Sequence, residues 1–247
     1  MPSHPLATAL SAARLTRLPH VWTPADGPND QMQAYRIQAE TAALVGSRPI
    51  GWKTGFDPKG APIAGPLLAC DMRENGGIYY LAPGEEVIVE VEFAIRLARD
   101  LPRGQTFSVA DILAATGEIL VAIELVGTRY ANFDHVPFAA RLADNLNHAA
   151  FVPGEGRSDV SAVPRKGQTL RLIVDGACVA EHAAVHGDDE PLKAVAAFAS
   201  QQPDTSEELR AGQFITTGSL NKIFRLSRAA QIVAEIEGLG RARLDLA

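Results

Sequence analysis

Three acidic residues stand where apolar side chains are expected. Glu90 and Glu92 lie inside residues 85–100 (EEVIVEVEFAIRLARD), and Glu124 lies inside residues 118–126 (EILVAIELV). Both stretches are dense in β-branched and aromatic residues and read as strands. On a strand, residues two apart share a face. At a rise of ~3.3 Å per residue, the Cα atoms of Glu90 and Glu92 are roughly 6.6 Å apart. Two carboxylates on one face of an apolar strand repel each other, and burying them unpaired is expensive. Either the face is solvated, as on an ordinary antiparallel strand, or a cation sits between them. A single site explains all three acids more simply than three separate accommodations. Three carboxylates completed by waters suit octahedral Mg²⁺ or Mn²⁺ rather than zinc. No H-x-H, H-E-x-x-H or cysteine cluster offers a competing signature.

Other residues are candidates on context. Lys53 sits in a Gly-bounded strand, residues 50–56 (IGWKTGF). It is either a strand-edge lysine in water or a cation beside the carboxylates, able to steer an anion or move a proton. Asp71 follows an apolar turn and reads first as a turn or cap aspartate. Thr217 and Ser219 flank Gly218 at the end of a strand, where hydroxyls and amides bind an anion or simply make a turn. His135, His148, His182 and His186 are scattered, and none is assigned as a ligand. Arg129, close after Glu124, reads as a salt-bridge partner rather than a substrate clamp.

The elements that must position these groups are legible in part. Residues 1–20 are Ala- and Leu-rich and read as helix. Asp30 caps a second helix through Val45, with Met32, Tyr35, Ala39, Ala42 and Ala43 as its apolar face and Gly46 as its C-cap. Residues 57–66 (DPKGAPIAGP) read as a loop, and Ser108 with Asp111 as a capping box. Residues 127–165 read as irregular. Asp175-Gly176 marks a hairpin within residues 168–185. Pro191 suits the first turn of a helix over 192–202. Residues 230–237 and 242–246 read as strands, and residues 217–219 close another. Three or four helices among many Gly- and Pro-punctuated strands predict an α+β fold, β-rich behind a helical N-terminal segment.

Composition excludes some function classes. The chain has 247 residues, 47% hydrophobic and 21% charged, with a net charge of −6. That is ordinary for a globular protein, and no basic block marks a nucleic-acid footprint. No apolar run reaches transmembrane length, so no membrane partner is expected. The N-terminus lacks a signal-peptide pattern. Two isolated cysteines, Cys70 and Cys178, argue against a disulfide framework and for a cytoplasmic location.

Taken together, residues 50–56 (IGWKTGF), 89–94 (VEVEFA), 99–102 (RDLP) and 122–130 (AIELVGTRY) resemble the 2-keto-4-pentenoate hydratase family of the fumarylacetoacetate hydrolase superfamily. That family includes the 2-oxo-3-hexenedioate (4-oxalocrotonate) decarboxylases. Further matches follow in order at 143–145 (ADN), 191–195 (PLKAV), 209–212 (LRAG), 217–220 (TGSL) and 237–240 (EGLG). The resemblance implies a fumarylacetoacetase C-terminal-like β-roll over 49–247 behind the helical segment 1–48, the two forming one functional unit. It implies Mg²⁺ or Mn²⁺ held by Glu90, Glu92 and Glu124, Lys53 near the metal, Asp71 as an acid/base partner, and Thr217 and Ser219 near the carboxylate of a 2-oxo acid. The implied activity is a metal-dependent lyase. It adds water to a 2-hydroxy-dienoate or 2-oxo-enoate to give a 4-hydroxy-2-oxo acid, or it decarboxylates a 2-oxo-enedioate. A C–C bond hydrolase lacks a visible His or Glu base. A catalytically silent oxo-acid binder is at odds with the intact Glu90, Glu92, Glu124 and Lys53. Relatives associate, which implies a homo-oligomer. Glu40 stands where a neutral polar residue is expected.

Overall fold

The structure, a computed structural model, describes residues 3–163, 168–184, 190, 192–204 and 207–247. Helices α1 (Pro5–Thr16) and α2 (Gln31–Val45) come first. Both ends of α2 follow the expected chemistry: the Asp30 carboxylate accepts from the Gln33 N–H, and Gly46 closes the helix at φ 70°. The chain continues through β1 (Pro49–Phe56), β2 (Pro62–Leu68), β3 (Gly77–Tyr79), β4 (Val87–Leu97), α3 (Val109–Ala115) and β5 (Thr116–Val126). Then come α4 (Phe138–Ala143), β6 (His148–Arg157), β7 (Thr169–Val174), β8 (Ala177–Ala183) and α5 (Lys193–Ser200). Four strands close it: β9 (Phe214–Thr216), β10 (Arg225–Leu226), β11 (Ala230–Ile236) and β12 (Gly240–Leu246).

The strands form two sheets. The larger runs β2-β1-β9-β4-β5-β6, with β10 also pairing β4, and the smaller runs β3-β12-β11-β7-β8. Strand alternation divides β4 between two environments. Val87, Val89, Val91, Phe93 and Ile95 enter one core with Ile119, Val121 and Ile123 of β5 and with Leu170, Leu172, Ile232 and Leu244 of the smaller sheet. Each such buried side chain contributes about 1.5–3 kcal/mol. A one-residue slip of β4 would carry all five out of this core and drive Glu90 and Glu92 into it, so the register is fixed. The even positions, Glu90, Glu92 and Ala94, are thereby committed to the opposite face. Helices α1, α2 and α4 pack together with Ile63 of β2 in a separate cluster.

Several expectations need correction. Residues 57–66 are not a loop throughout. Asp57 to Ala61 make a tight turn, with the Asp57 carboxylate accepting from the Lys59 and Ala61 N–H groups, and Pro62 begins strand β2. Its prolines, Pro62 and Pro66, are tolerated because β2 is an edge strand. Within 127–165, α4 and the ten-residue β6 are regular. Pro153 and Gly154 obscured β6, which is also an edge strand. A Cβ at Gly154 would lie 2.4 Å from the Arg241 carbonyl oxygen, so glycine is required there for close approach of β12. Five α-helices occur among the described residues rather than three or four. The buried face of α2 is Ala34, Tyr35, Ile37, Gln38, Thr41 and Ala42, while Met32, Ala39 and Ala43 are exposed. The polar member Gln38 belongs inside because its amide donates to the carbonyls of Ala64 and Leu142. Helix α5 starts and ends within the expected span; Pro191 and His186 lie outside the described residues.

Candidate active site

The register of the larger sheet assembles the acids. Glu90 of β4 lies directly opposite Glu124 of β5, and Glu92 lies opposite Ala122. One oxygen from each of the three carboxylates falls within 4.8 Å of the others. Lys53 arrives from β1, where it pairs with Thr216 of β9, and Thr216 in turn pairs with Ala94 of β4. Its Nζ donates to Glu124 Oε1 at 2.9 Å and to Glu90 Oε2 at 3.3 Å. The solvated-face alternative is excluded for two of the acids, since Glu92 and Glu124 are fully buried.

Charge makes this cluster unstable as an isolated set. Three carboxylates against one ammonium leave two negative charges uncompensated in the interior, which is costly. Burial first, then Glu124 and Glu90, pushes the Glu92 carboxyl well above the usual range. Burial likewise lifts Glu124 to about 7, although Lys53 pulls the other way. Burial opposes the charge on Lys53, but Glu124, Glu90 and Glu92 together outweigh it and raise its pKa. Glu92 Oε1 and Glu124 Oε2 are buried without a hydrogen-bond partner among the described residues. Unpartnered carboxylate oxygens with surplus negative charge fit a hard divalent cation.

Around this cluster lies a shell of ion pairs. The buried His148 places Nδ1 3.1 Å from Glu124 Oε1. Burial chiefly, against the pull of Asp71, lowers its pKa to about 3, so the ring is neutral and Nδ1–H donates to the carboxylate. The His148 carbonyl accepts from Arg129 Nη1 at 2.7 Å and from Arg14 Nη2 at 3.3 Å. Arg129 pairs with Asp144 at 2.6 Å, the ion-pair role expected of it. Arg14, on α1, pairs with Asp71 at 2.8 Å. Asp71 therefore stands one layer outside the carboxylates, joined to them through Arg14 and His148.

The turn over residues 217–221 is pinned to β4. Gly218 N–H donates to Glu92 Oε2 at 2.9 Å. The Thr217 hydroxyl donates to the Phe93 carbonyl at 3.1 Å, and that of Ser219 to the Asn221 carbonyl at 3.0 Å. One residue earlier, the hydroxyl of the fully buried Thr216 has no partner among the described residues. Glu40 is remote in role: it accepts from the His4 N–H at 2.6 Å, where α1 begins. Sequence reading missed Arg14, Asp144, Asn145 and His148. The visible trace was one acid and two amides (DNLN) between apolar runs at 144–147.

No family model matches the chain. A 2-keto-4-pentenoate hydratase from Paraburkholderia phymatum is 30% identical over 225 residues, spanning 87% of this chain and 85% of that protein. Among solved structures, 4-oxalocrotonate decarboxylase from Pseudomonas putida G7, complexed with magnesium and adipate, superposes with a TM-score of 0.84 at 22% identity, covering 98% of this chain and 96% of that one. Fumarylpyruvate hydrolase from Pseudomonas aeruginosa, in complex with Mn²⁺ and pyruvate, gives a TM-score of 0.57 at 17% identity over 81% and 89% of the two chains. Those two likenesses carry the β-rich fold, and the 30% identity to the hydratase over 87% of the chain carries the family: this chain belongs to the 2-keto-4-pentenoate hydratase family.

Proposed function

We propose that this protein is a Mg²⁺- or Mn²⁺-dependent hydro-lyase that adds water to a 2-hydroxy-dienoate or its 2-oxo-enoate tautomer, giving a 4-hydroxy-2-oxo acid. The observation that carries the reading is the trio Glu90, Glu92 and Glu124, the last two fully buried, with Lys53 bridging Glu90 and Glu124, in a chain 30% identical to a hydratase. Those three carboxylates would hold the ion. When bound, it supplies Lewis-acid polarisation of the substrate's C2 oxygen. Lys53, held charged between Glu124 and Glu90, adds a fixed positive charge for the negative charge that builds on that oxygen. Arg14 occupies Asp71 Oδ2, and among the described residues Oδ1 has only a thiol contact from Cys70 at 3.7 Å. Oδ1 is then the atom that moves the proton of the added water, directly or through one further water. The Thr217–Ser219 turn orients Glu92 through Gly218 N–H and lies beside the substrate carboxylate. Burial of Glu92 and Glu124 keeps bulk water from the dienol, while Glu90 and Lys53, with side chains 22% and 13% exposed, mark the way in.

A second reading, 2-oxo-3-hexenedioate decarboxylation, is favoured by the fit to the decarboxylase over 98% of the chain. The same residues would serve as the electron sink for a departing carboxylate. An ultraviolet assay with Mg²⁺ separates the two. Chelator-sensitive hydration of 2-hydroxypenta-2,4-dienoate supports the hydratase, carbon dioxide release from 2-oxohex-3-enedioate supports the decarboxylase, and inactivity on both overturns the proposal. We further propose a cytoplasmic homo-oligomer. Leu15, Leu18 and Val21 are 60–71% exposed at the end of α1, an apolar surface suited to self-association, and Cys70 and Cys178 are exposed free thiols. Light scattering that finds only monomer would reject the assembly.

A further inference from the structure

Residues 145–147 contain three consecutive non-glycine residues in the left-handed region: Asn145 at φ 54°, Leu146 at 54° and Asn147 at 60°. Such a run is costly for L-residues and persists only where its surroundings enforce it. Here the enforcement is visible. Gly65 of β2 pairs with Lys53, so the two positions share a face. A Cβ on Gly65 would lie 2.8 Å from the carbonyl carbon and oxygen of Asn145. Asn145 therefore occupies the space beside Lys53 that a Gly65 side chain would fill. The flanks of the turn are equally fixed: Arg129 holds Asp144, and His148 holds Glu124. The turn thus spans from the Lys53 side of the site to the Glu124 side.

Within it, Asn145 is fully buried, and both its amide nitrogen and its amide oxygen lack a partner among the described residues. Leaving a buried donor and acceptor unmade is expensive, and native proteins do so where a ligand completes them. We infer that Asn145 is a substrate-binding residue that reads the chelating end of the 2-oxo acid. Its Nδ2 donates to the C1 carboxylate, and its Oδ1 accepts from the 2-hydroxyl of the enol form. This rests on the reading of the site as a metal-dependent oxo-acid site.

The test is calorimetric and uses oxalate as a probe of the carboxylate-binding end. Oxalate is titrated into the full-length protein with saturating Mg²⁺, for wild type, Asn145→Gly and Asn145→Asp. Glycine accepts the left-handed backbone and removes the amide; aspartate keeps the shape and removes the donor. The expected result is Mg²⁺ affinity within about twofold of wild type for Asn145→Gly, with oxalate binding weakened about 10- to 100-fold in both variants. Unchanged oxalate affinity in both variants overturns the role of Asn145 and leaves the site reading standing. Failure of wild type to bind oxalate with Mg²⁺ overturns the site reading and this inference together.

Discussion

Raising the pH of the metal-free protein should weaken it in a window where most proteins are indifferent. Glu124 has its carboxyl lifted from 4.5 to about 7, chiefly by burial. Each tenfold change in proton affinity is worth about 1.4 kcal/mol, so the whole change amounts to about 3 kcal/mol. A folded pKa above the unfolded value gives stability that is complete below pH 4.5 and is lost as the pH rises through about 7. Glu92, raised in the same direction, adds to the loss. His148 works oppositely: lowered from 6.5 to about 3, it removes stability as the pH falls below 6.5. At pH 6.5 half of the unfolded-state imidazole is still protonated, so His148 returns about 0.4 kcal/mol as the pH rises to 8.5, less than the carboxylates remove. Between pH 6.5 and 8.5, Glu124 by itself should remove about 1 kcal/mol, or about 2–4 °C of melting temperature for a chain of this size. Urea denaturation in chelator at several pH values measures the slope. Saturating Mg²⁺ should abolish it, because the ion replaces the protons, and the stabilisation by Mg²⁺ should grow with pH. Metal-free stability that is flat or rising from pH 6.5 to 8.5 would refute the electrostatic reasoning.

Other perturbations probe the surroundings. Gly65→Ala should destabilise the fold by about 2 kcal/mol or more, since its Cβ meets the Asn145 backbone and no side chain can yield; an unchanged thermal melt would count against the close packing. Asp71→Asn should lower kcat about 10²- to 10⁴-fold while leaving Mg²⁺-dependent oxalate binding intact, if Asp71 moves a proton; a loss of stability with normal kcat would make it only the partner of Arg14. Ser219→Ala should change kcat and KM by less than about threefold, because that hydroxyl is committed to Asn221. A large rise in KM would return Ser219 to direct substrate contact.

The acids were legible because three carboxylates inside valine- and isoleucine-rich strands have no bland explanation once buried. Lys53 was legible from its glycine-bounded strand, though only the β1-β9-β4 strand order explains how it reaches Glu124. His148 and Asn145 are not, because the Pro, Gly and Asn content of 127–165 reads as irregular, while edge strand β6 tolerates those residues. The place of Thr216 beside Lys53 and Ala94 is not legible either, because strand parity cannot be assigned until those pairings are known. Arg14 comes from the other end of the sequence. Its contacts with Asp71 and His148 span 57 and 134 residues, a separation that no local pattern reports.

The claim on which the rest depends is that Glu90, Glu92 and Glu124 hold a divalent cation. The most direct test is calorimetric titration of Mg²⁺ into wild type and Glu92→Gln at pH 7.5, with a thermal melt of each to confirm folding. One ion per wild-type chain is expected, with no measurable binding by a Glu92→Gln variant that still melts cooperatively. Equal Mg²⁺ affinity in the two proteins would contradict it.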